Sequence, residues 1–260
     1  MPQENHDELI LDQFTRQAKL FSAAPPITDE KALKMIRDAA APSADDRFLD
    51  VACGGGIVAC AFAPFVREAV GIDMTPAMLT EGRRVAAEKG LKNLAWQEGD
   101  ARALPFAAES FTIVATRFSF HHFPDPAAVL GEMARVCAPG GRVVVVDTVV
   151  SEDPRKAAEF NRLERLRDPS HVRALSLREH RGLFLAAGLG LPRESFYALS
   201  DAVENLLARS FPKPKDGKEI RAIFEASAKD ERLGIPVRCE GRRILYSYPI
   251  AILSAVRPQG

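Results

Sequence analysis

The chain has 260 residues, 47% of them hydrophobic, enough to bury a full core as one elaborated domain or as a domain with a small appended lid. Lys plus Arg number 35 and Asp plus Glu number 35, so no net charge draws the chain toward nucleic acid or an anionic membrane. No apolar run approaches the roughly 18 residues that span a bilayer, the N-terminal residues lack the basic-then-apolar order of a secretory signal, and Cys53, Cys60, Cys137 and Cys239 are too far apart for a CxxC metal or redox motif. The expectation is a cytoplasmic protein with reduced thiols, no integral membrane part and no metal site.

Residues 7 to 23 carry Leu11, Phe14, Ala18 and Phe21 at helical spacing, which predicts an amphipathic helix placed to cover a ligand edge. Pro25-Pro26 breaks it, and Thr28 or Asp29 is placed to cap a second helix running to Ala40. Residues 1 to 45 thus read as a helical lid.

The core is expected over residues 46 to 150. Its first strand, Arg47-Phe48-Leu49-Asp50-Val51, runs into Ala52-Cys53-Gly54-Gly55-Gly56 and then into a helix-compatible apolar run from Ile57. Glycines at a strand-to-helix junction suit close backbone approach and exposed N–H groups. Val70-Gly71-Ile72-Asp73 is a second strand ending in an acid, followed by a helix from Met74 to Lys89 with Asp73 or Thr75 as cap and Pro76 early in it. Leu94 to Gly99 is a third strand, again followed by an acid, Asp100, and Phe111 to Thr116 a fourth. A helix over Asp125 to Val136 and a Pro139-Gly140-Gly141 turn lead into the strand Val143 to Val146. Alternation of this kind predicts an α/β fold whose mostly parallel sheet is covered on both faces, with ligands at the carboxyl ends of the strands.

From Ser151 the rhythm changes. Residues 151 to 190 read as a helical insertion, with helices over Pro154 to Arg167 and Ser176 to Ala187 around a turn holding His171. Residues 191 to 260 read as the rest of the sheet. Leu191 to Leu199 is a strand, Asp201 to Arg209 and Lys218 to Lys229 are helices, and Lys213 to Lys218 is a solvated loop. Arg243 to Val256 is a long last strand in which Pro249 suggests a sheet edge or a bulge.

Four of these landmarks in order, the Asp50 to Gly56 loop, Gly71-Ile72-Asp73-Met74, Gly99-Asp100-Ala101 with Leu104-Pro105-Phe106, and Pro139-Gly140-Gly141, resemble class I S-adenosylmethionine-dependent methyltransferases of the ubiquinone/menaquinone-biosynthesis type (type 11). The resemblance covers residues 47 to 150 strongly and the flanks weakly. It implies a Rossmann-like sheet of seven strands with the last antiparallel, S-adenosyl-L-methionine as cofactor and S-adenosyl-L-homocysteine as product. It gives Asp73 the ribose diol, Met74 the adenine face, Asp100 and the Ala101 N–H the adenine edge, and Ala52, Cys53 and Gly54 the methionine part. Asp50 and the backbone carbonyls of Arg117 and Phe118 would lie near its amino group. Ala52 stands where the family commonly has glycine, and its methyl group fits if φ stays negative.

The resemblance implies in-line transfer to a small-molecule acceptor at carbon, oxygen or nitrogen, aromatic or lipid-like by the quinone-pathway likeness, with no nucleic acid involved. A base is required only if the acceptor arrives protonated. His122 is a candidate base or acceptor-orienting group, or else a loop-lining imidazole; His171 is a second candidate, or else a surface turn residue. Phe118, Phe120 and Phe123 read as an aromatic wall or as core. Gln17 and Phe21, with the insertion, are placed to set acceptor identity. Two other classes stay open: an NAD(P)-dependent oxidoreductase, because Gly54 to Ala59 also fits G-x-G-x-x-A with Asp73 downstream, and a non-catalytic ligand-binding protein.

Overall fold

The computed structural model describes residues 3–259. Its sheet contains the strands β1 (Arg47–Val51), β2 (Glu68–Asp73), β3 (Leu94–Glu98), β4 (Phe111–Arg117), β5 (Cys137–Val150), β6 (Leu175–Ser176), β7 (Arg193–Ala202), β8 (Val237–Glu240) and β9 (Arg243–Val256). The helices are α1 (Gln3–Ser22), α2 (Glu30–Ala40), α3 (Ile57–Phe62), α4 (Pro76–Glu88), α5 (Pro126–Val136), α6 (Pro154–Arg167), α7 (Leu177–Ala186), α8 (Val203–Ser210) and α9 (Pro214–Asp230). Seven strands run in the order β3-β2-β1-β4-β5-β9-β7. The first five are parallel, and β9 is antiparallel to both its neighbours, as expected for the Rossmann-like fold. The short strands β6 and β8 pair with β5 and β9 off this path.

Strand side chains alternate between two cores, which is why the strands read as continuous apolar runs. Phe48, Val144, Val146 and Ile252 enter one core, where Phe48 stacks on Phe62 of α3 at 4.2 Å between ring centroids. Leu49, Val143, Val145 and Leu253 enter the other, against Val129 and Met133 of α5 and Phe184 of α7. Local caps fix several helix starts: Asp29 accepts from the Lys31 N–H, Asp125 from Ala128 and Asp153 from Arg155, and Ser176 with Glu179 forms a capping box.

Three expectations change. Pro249 is not at a sheet edge, because β9 lies between β5 and β7. It stands one residue before Ile250, where β9 begins to pair with β5 opposite Thr148, so at its level only the β7 side is paired. Pro139-Gly140-Gly141 is a bulge within β5: Phe111 pairs with Cys137 and Ile113 already with Arg142. The segment read as a solvated loop from Lys213 instead starts α9, with Pro214 in its first turn, where no N–H is needed.

Candidate active site

The sheet order reverses direction between β1 and β4, and the carboxyl ends of β1 to β4 there border a pocket of about 830 Å³, its open mouth included. Ala52, Cys53, Gly54, Asp73, Met74, Asp100, Ala101, Arg117, Phe118 and His122 all line it. The helix α1 closes it from above through His6, Asp7, Ile10, Phe14 and Phe21.

Asp73 is the hub of the floor. Its Oδ2 accepts the Gly54 N–H and its Oδ1 the Thr75 N–H, each at 2.8 Å, so one carboxylate ties the glycine loop to the start of α4. Burial raises its pKa, and these two backbone donors offset part of the rise. Each oxygen keeps a lone pair for a further donor. Gly54 and Gly56 have φ of +50° and +70°, and a Cβ on Gly55 would stand 1.9 Å from Ser22 Oγ, so the end of α1 seats directly on the loop.

Ala52 departs from expectation: its φ is +52°, not negative. Phe118 is also left-handed, at +57°, and both residues line the pocket. Strained backbone of this kind is held by its surroundings, here for Phe118 by its N–H on the Val146 carbonyl at 2.8 Å.

Asp50 does not line the pocket. It lies beneath the loop, 1% exposed, with Oδ2 accepting the Ala59 N–H at 2.9 Å at the start of α3. Burial pushes its pKa up to about 7, against the pull of the Ala59 N–H. Its position is that of a loop anchor. The Asp100 carboxylate is engaged as well: Arg102 Nε donates to both its oxygens, at 2.9 and 2.8 Å, and the same guanidinium reaches Asp7 of α1 at 2.8 Å. The adenine edge proposed for Asp100 is thus also where the lid is fastened.

His122 lies at the pocket rim, 6% exposed. Its Nδ1 is 3.0 Å from the Ser170 carbonyl and 3.1 Å from Ser170 Oγ, while that hydroxyl donates to Asp168 at 2.5 Å. A carbonyl only accepts, so Nδ1 carries the proton and Nε2 the lone pair. Burial, and then the neighbouring His121, push its pKa down to about 4. His121, with its ring 4.3 Å from that of His122, has Nδ1 2.6 Å from Asp147. Burial would lower its pKa, but the Asp147 carboxylate outweighs this and raises it.

His171 lines neither this pocket nor the turn surface. It is 2% exposed, donates from Nε2 to Asn161 at 2.7 Å, and leaves Nδ1 without a partner. Burial first, and His121 next, lower its pKa below the ordinary histidine range. Phe118 and Phe123 line the pocket, whereas Phe120 belongs to the core. Sequence reasoning passed over His6, whose Nε2 donates to the His122 carbonyl at 2.8 Å. It also passed over Trp96, whose ring fills the space that side chains on Gly56, Gly71 and Gly82 would need. Three glycines facing one tryptophan is the signal, readable only after strands and helices are placed together.

Residues 49–145 match a methyltransferase domain family (type 11). The chain is 38% identical to the uncharacterized methyltransferase YcgJ of Bacillus subtilis over 66% of its own length and 68% of that protein. The crystal structure of YcgJ superposes with a TM-score of 0.82 at 31% identity, over 88% of this chain and 99% of that one. The demethylmenaquinone methyltransferase of Thermus thermophilus is 43% identical over 42% of this chain and 50% of that protein, so the chain spans about half of that relative. In fold alone, a geranyl diphosphate C-methyltransferase of Streptomyces coelicolor, solved with S-adenosyl-L-homocysteine, is similar at TM-score 0.60 and 18% identity, over 88% of this chain and 79% of that one.

Proposed function

The chain belongs to the class I methyltransferases, in the type 11 family of the ubiquinone/menaquinone-biosynthesis kind, and from that premise we propose that it moves a methyl group from S-adenosyl-L-methionine to a small-molecule acceptor. The observation that carries the reading is the convergence of Asp73, Met74, Asp100, Ala101 and the Gly54 loop on one pocket at the strand ends. The residues present fit such a cofactor. Asp73 keeps acceptor capacity for a ribose diol, and Thr75 Oγ1 and Arg117 Nε are buried polar atoms at the wall with no partner in the protein. The cofactor supplies an already activated sulfonium methyl. The protein's contribution is therefore positioning, for which intramolecular reactions indicate up to about 7–11 kcal/mol. Asp73 and the Gly54 loop fix one end of the pocket, and α1 excludes water from above.

If the acceptor arrives protonated, the proton goes to His122 Nε2. The resulting Nδ1–H of the imidazolium is held by Ser170, itself bonded to Asp168. His171 stays a support of this cluster, bonded to Asn161. The acceptor atom is carbon, oxygen or nitrogen, on an aromatic or lipid-like molecule as in the quinone-methylating relative. The dinucleotide alternative leaves Asp100 and its neighbours unused. A calorimetric titration with S-adenosyl-L-homocysteine, with NADH and NADPH in parallel, tests the reading. Binding of the homocysteine compound alone is expected; nicotinamide binding or none would overturn it.

A further inference from the structure

Two arginines line the cofactor pocket, and they differ in one respect. Arg102 is paired with Asp100 and Asp7. Arg117, at the end of β4, is only 9% exposed and joins no ion pair among the described residues. Its guanidinium cannot shed its proton. Nη1 donates to the Ile27 carbonyl at 2.8 Å and Nη2 to the Tyr197 hydroxyl at 3.3 Å, while Nε is buried with no partner. The Phe118 ring lies 4.5 Å from its Cζ, which offers a π face but no counter-ion. Asp50 beneath the loop feels the Arg117 charge, yet it forms no ion pair with it and its Oδ2 is taken by the Ala59 N–H. Burying a charge without a counter-charge is strongly unfavourable, so the missing anion is expected to arrive with a ligand.

The strand order fixes which part of a ligand reaches this cation. Asp100 follows β3, Asp73 ends β2, Ala52 to Gly54 follow β1, and Arg117 ends β4, in the order β3-β2-β1-β4. Arg117 thus stands three strand spacings, about 14 Å, from the Asp100 side of the pocket. A ligand laid across the strand ends with its base at Asp100 and its ribose at Asp73 meets Arg117 with its far end. Nε and Nη2 share one edge of the guanidinium fork, the edge that takes a carboxylate through two parallel bonds. On that edge Nε is unspent and Nη2 is spent only on the longer bond to Tyr197.

We propose that the Arg117 side chain is the counter-charge for a ligand carboxylate at the β4 end of the pocket, namely the carboxylate of the cofactor's amino-acid part, and that it makes the site selective for nucleosides that carry this group. The proposal rests on the cofactor reading above. It gives the guanidinium a binding role separate from that expected of the Arg117 backbone carbonyl, which would face the neighbouring amino group. Decarboxylated nucleosides present only the amine, and Arg117 disfavours them twice, by losing its anion and by facing a second cation.

Calorimetry on the full chain compares S-adenosyl-L-homocysteine with its decarboxylated form, which keeps the nucleoside, the thioether and the amine. The parent protein should bind the homocysteine compound about ten- to hundredfold tighter, the range expected of hydrogen bonds to a charged group. Arg117→Met should weaken the homocysteine compound at least tenfold and leave the decarboxylated form within twofold or tighter, so that the preference collapses. Arg117→Lys, which keeps the charge but not the fork, should retain part of it. Equal binding of the two compounds by the parent would overturn the proposal. So would an equal loss for both in Arg117→Met, which would show that Arg117 acts only through Ile27 and Tyr197. The comparison on the parent needs no variant, so it decides the matter even if Arg117→Met does not fold. Failure of both compounds to bind the parent would remove the cofactor reading and this proposal with it, a result distinct from equal binding.

Discussion

The backbone N–H of Gly54 donates to Asp73 Oδ2 at 2.8 Å, joining the first and second strand ends through a single carboxylate. Because Asp73 Oδ1 holds the Thr75 N–H at the same distance, the residue assigned to a ribose is also a structural fastener. Asp73→Ala removes acceptors from one buried and one half-buried donor, so it should cost about 2–6 kcal/mol of stability, from about 1–3 kcal/mol for each unsatisfied group, and should weaken S-adenosyl-L-homocysteine binding at least tenfold. Asp73→Asn keeps one acceptor oxygen and should fall between. Urea unfolding and calorimetry on both variants check this; a fully stable Asp73→Ala protein would contradict the fastening role.

Arg102 separates two roles of Asp100. In the structure its guanidinium occupies the carboxylate and ties it to Asp7 of α1, with side-chain exposures of 25% for Arg102, 39% for Asp100 and 27% for Asp7. Partly exposed pairs contribute little, about 0–1 kcal/mol, so Arg102→Ala should leave unfolding stability nearly unchanged. It should, however, loosen the lid and free Asp100 for the adenine amine. Asp100→Ala is expected to weaken binding of the homocysteine compound, while Arg102→Ala leaves it equal or tighter, with faster association in stopped-flow. A loss of affinity in Arg102→Ala matching that of Asp100→Ala would remove the competition argument.

The parts of the site that were readable in the sequence are those set by local backbone demands. Glycines at a strand-to-helix turn, acids at strand ends and proline at a helix start declare themselves within a few residues. What the sequence hid depends on partners far along the chain. Nothing near Asp50 in the sequence signals that one of its oxygens is taken by the Ala59 N–H. His171 looks like a turn residue until the turn is buried against Asn161. Trp96 reads as one aromatic in a short strand, yet it explains Gly71 and Gly82, which have no turn to make. Pro249 suggested an edge because the point where β5 pairing ends is a tertiary fact.

Ala52 adopts φ +52°, a conformation that costs a side-chain-bearing residue about 1–2 kcal/mol. Glycine removes that strain but adds unfolded-state entropy worth about 0.4–1 kcal/mol. Ala52→Gly should therefore stabilise the protein by about 0.5–1 kcal/mol, read as a higher urea midpoint at unchanged slope. Ala52 lines the pocket and the substitution removes a single methyl group, so affinity for the homocysteine compound should hold within twofold. Lower stability would mean that the methyl group contributes more by packing than it costs in strain.

His122 supplies the pH test. Its ring is faced by His121 and His171, with Asp168 reached through Ser170 and Arg167 behind it, and His6 bonds its carbonyl. With burial and His121 lowering its pKa to about 4, against an ordinary value near 6.5, the imidazole is neutral through the physiological range, with a free but weakly basic lone pair at Nε2. The unfolded chain therefore takes up this proton first as pH falls. Stability attributable to His122 is complete above about pH 6.5 and is lost as pH drops toward 4, by roughly 3 kcal/mol at most. Asp50, with its pKa raised to about 7, acts in the opposite sense, losing stability as pH rises from its ordinary carboxylate range through 7, so only a difference isolates the histidine. Parent minus His122→Gln, measured by urea unfolding at pH 4.5, 5.5 and 7, should show a gap that moves in favour of the variant as pH falls. In proton NMR the His122 ring should not titrate between pH 5.5 and 8, while His121, held by Asp147, titrates above the usual histidine value. A His122 titration near 6.5 with a flat stability difference would place the ring in solvent and end its assignment as the neutral base.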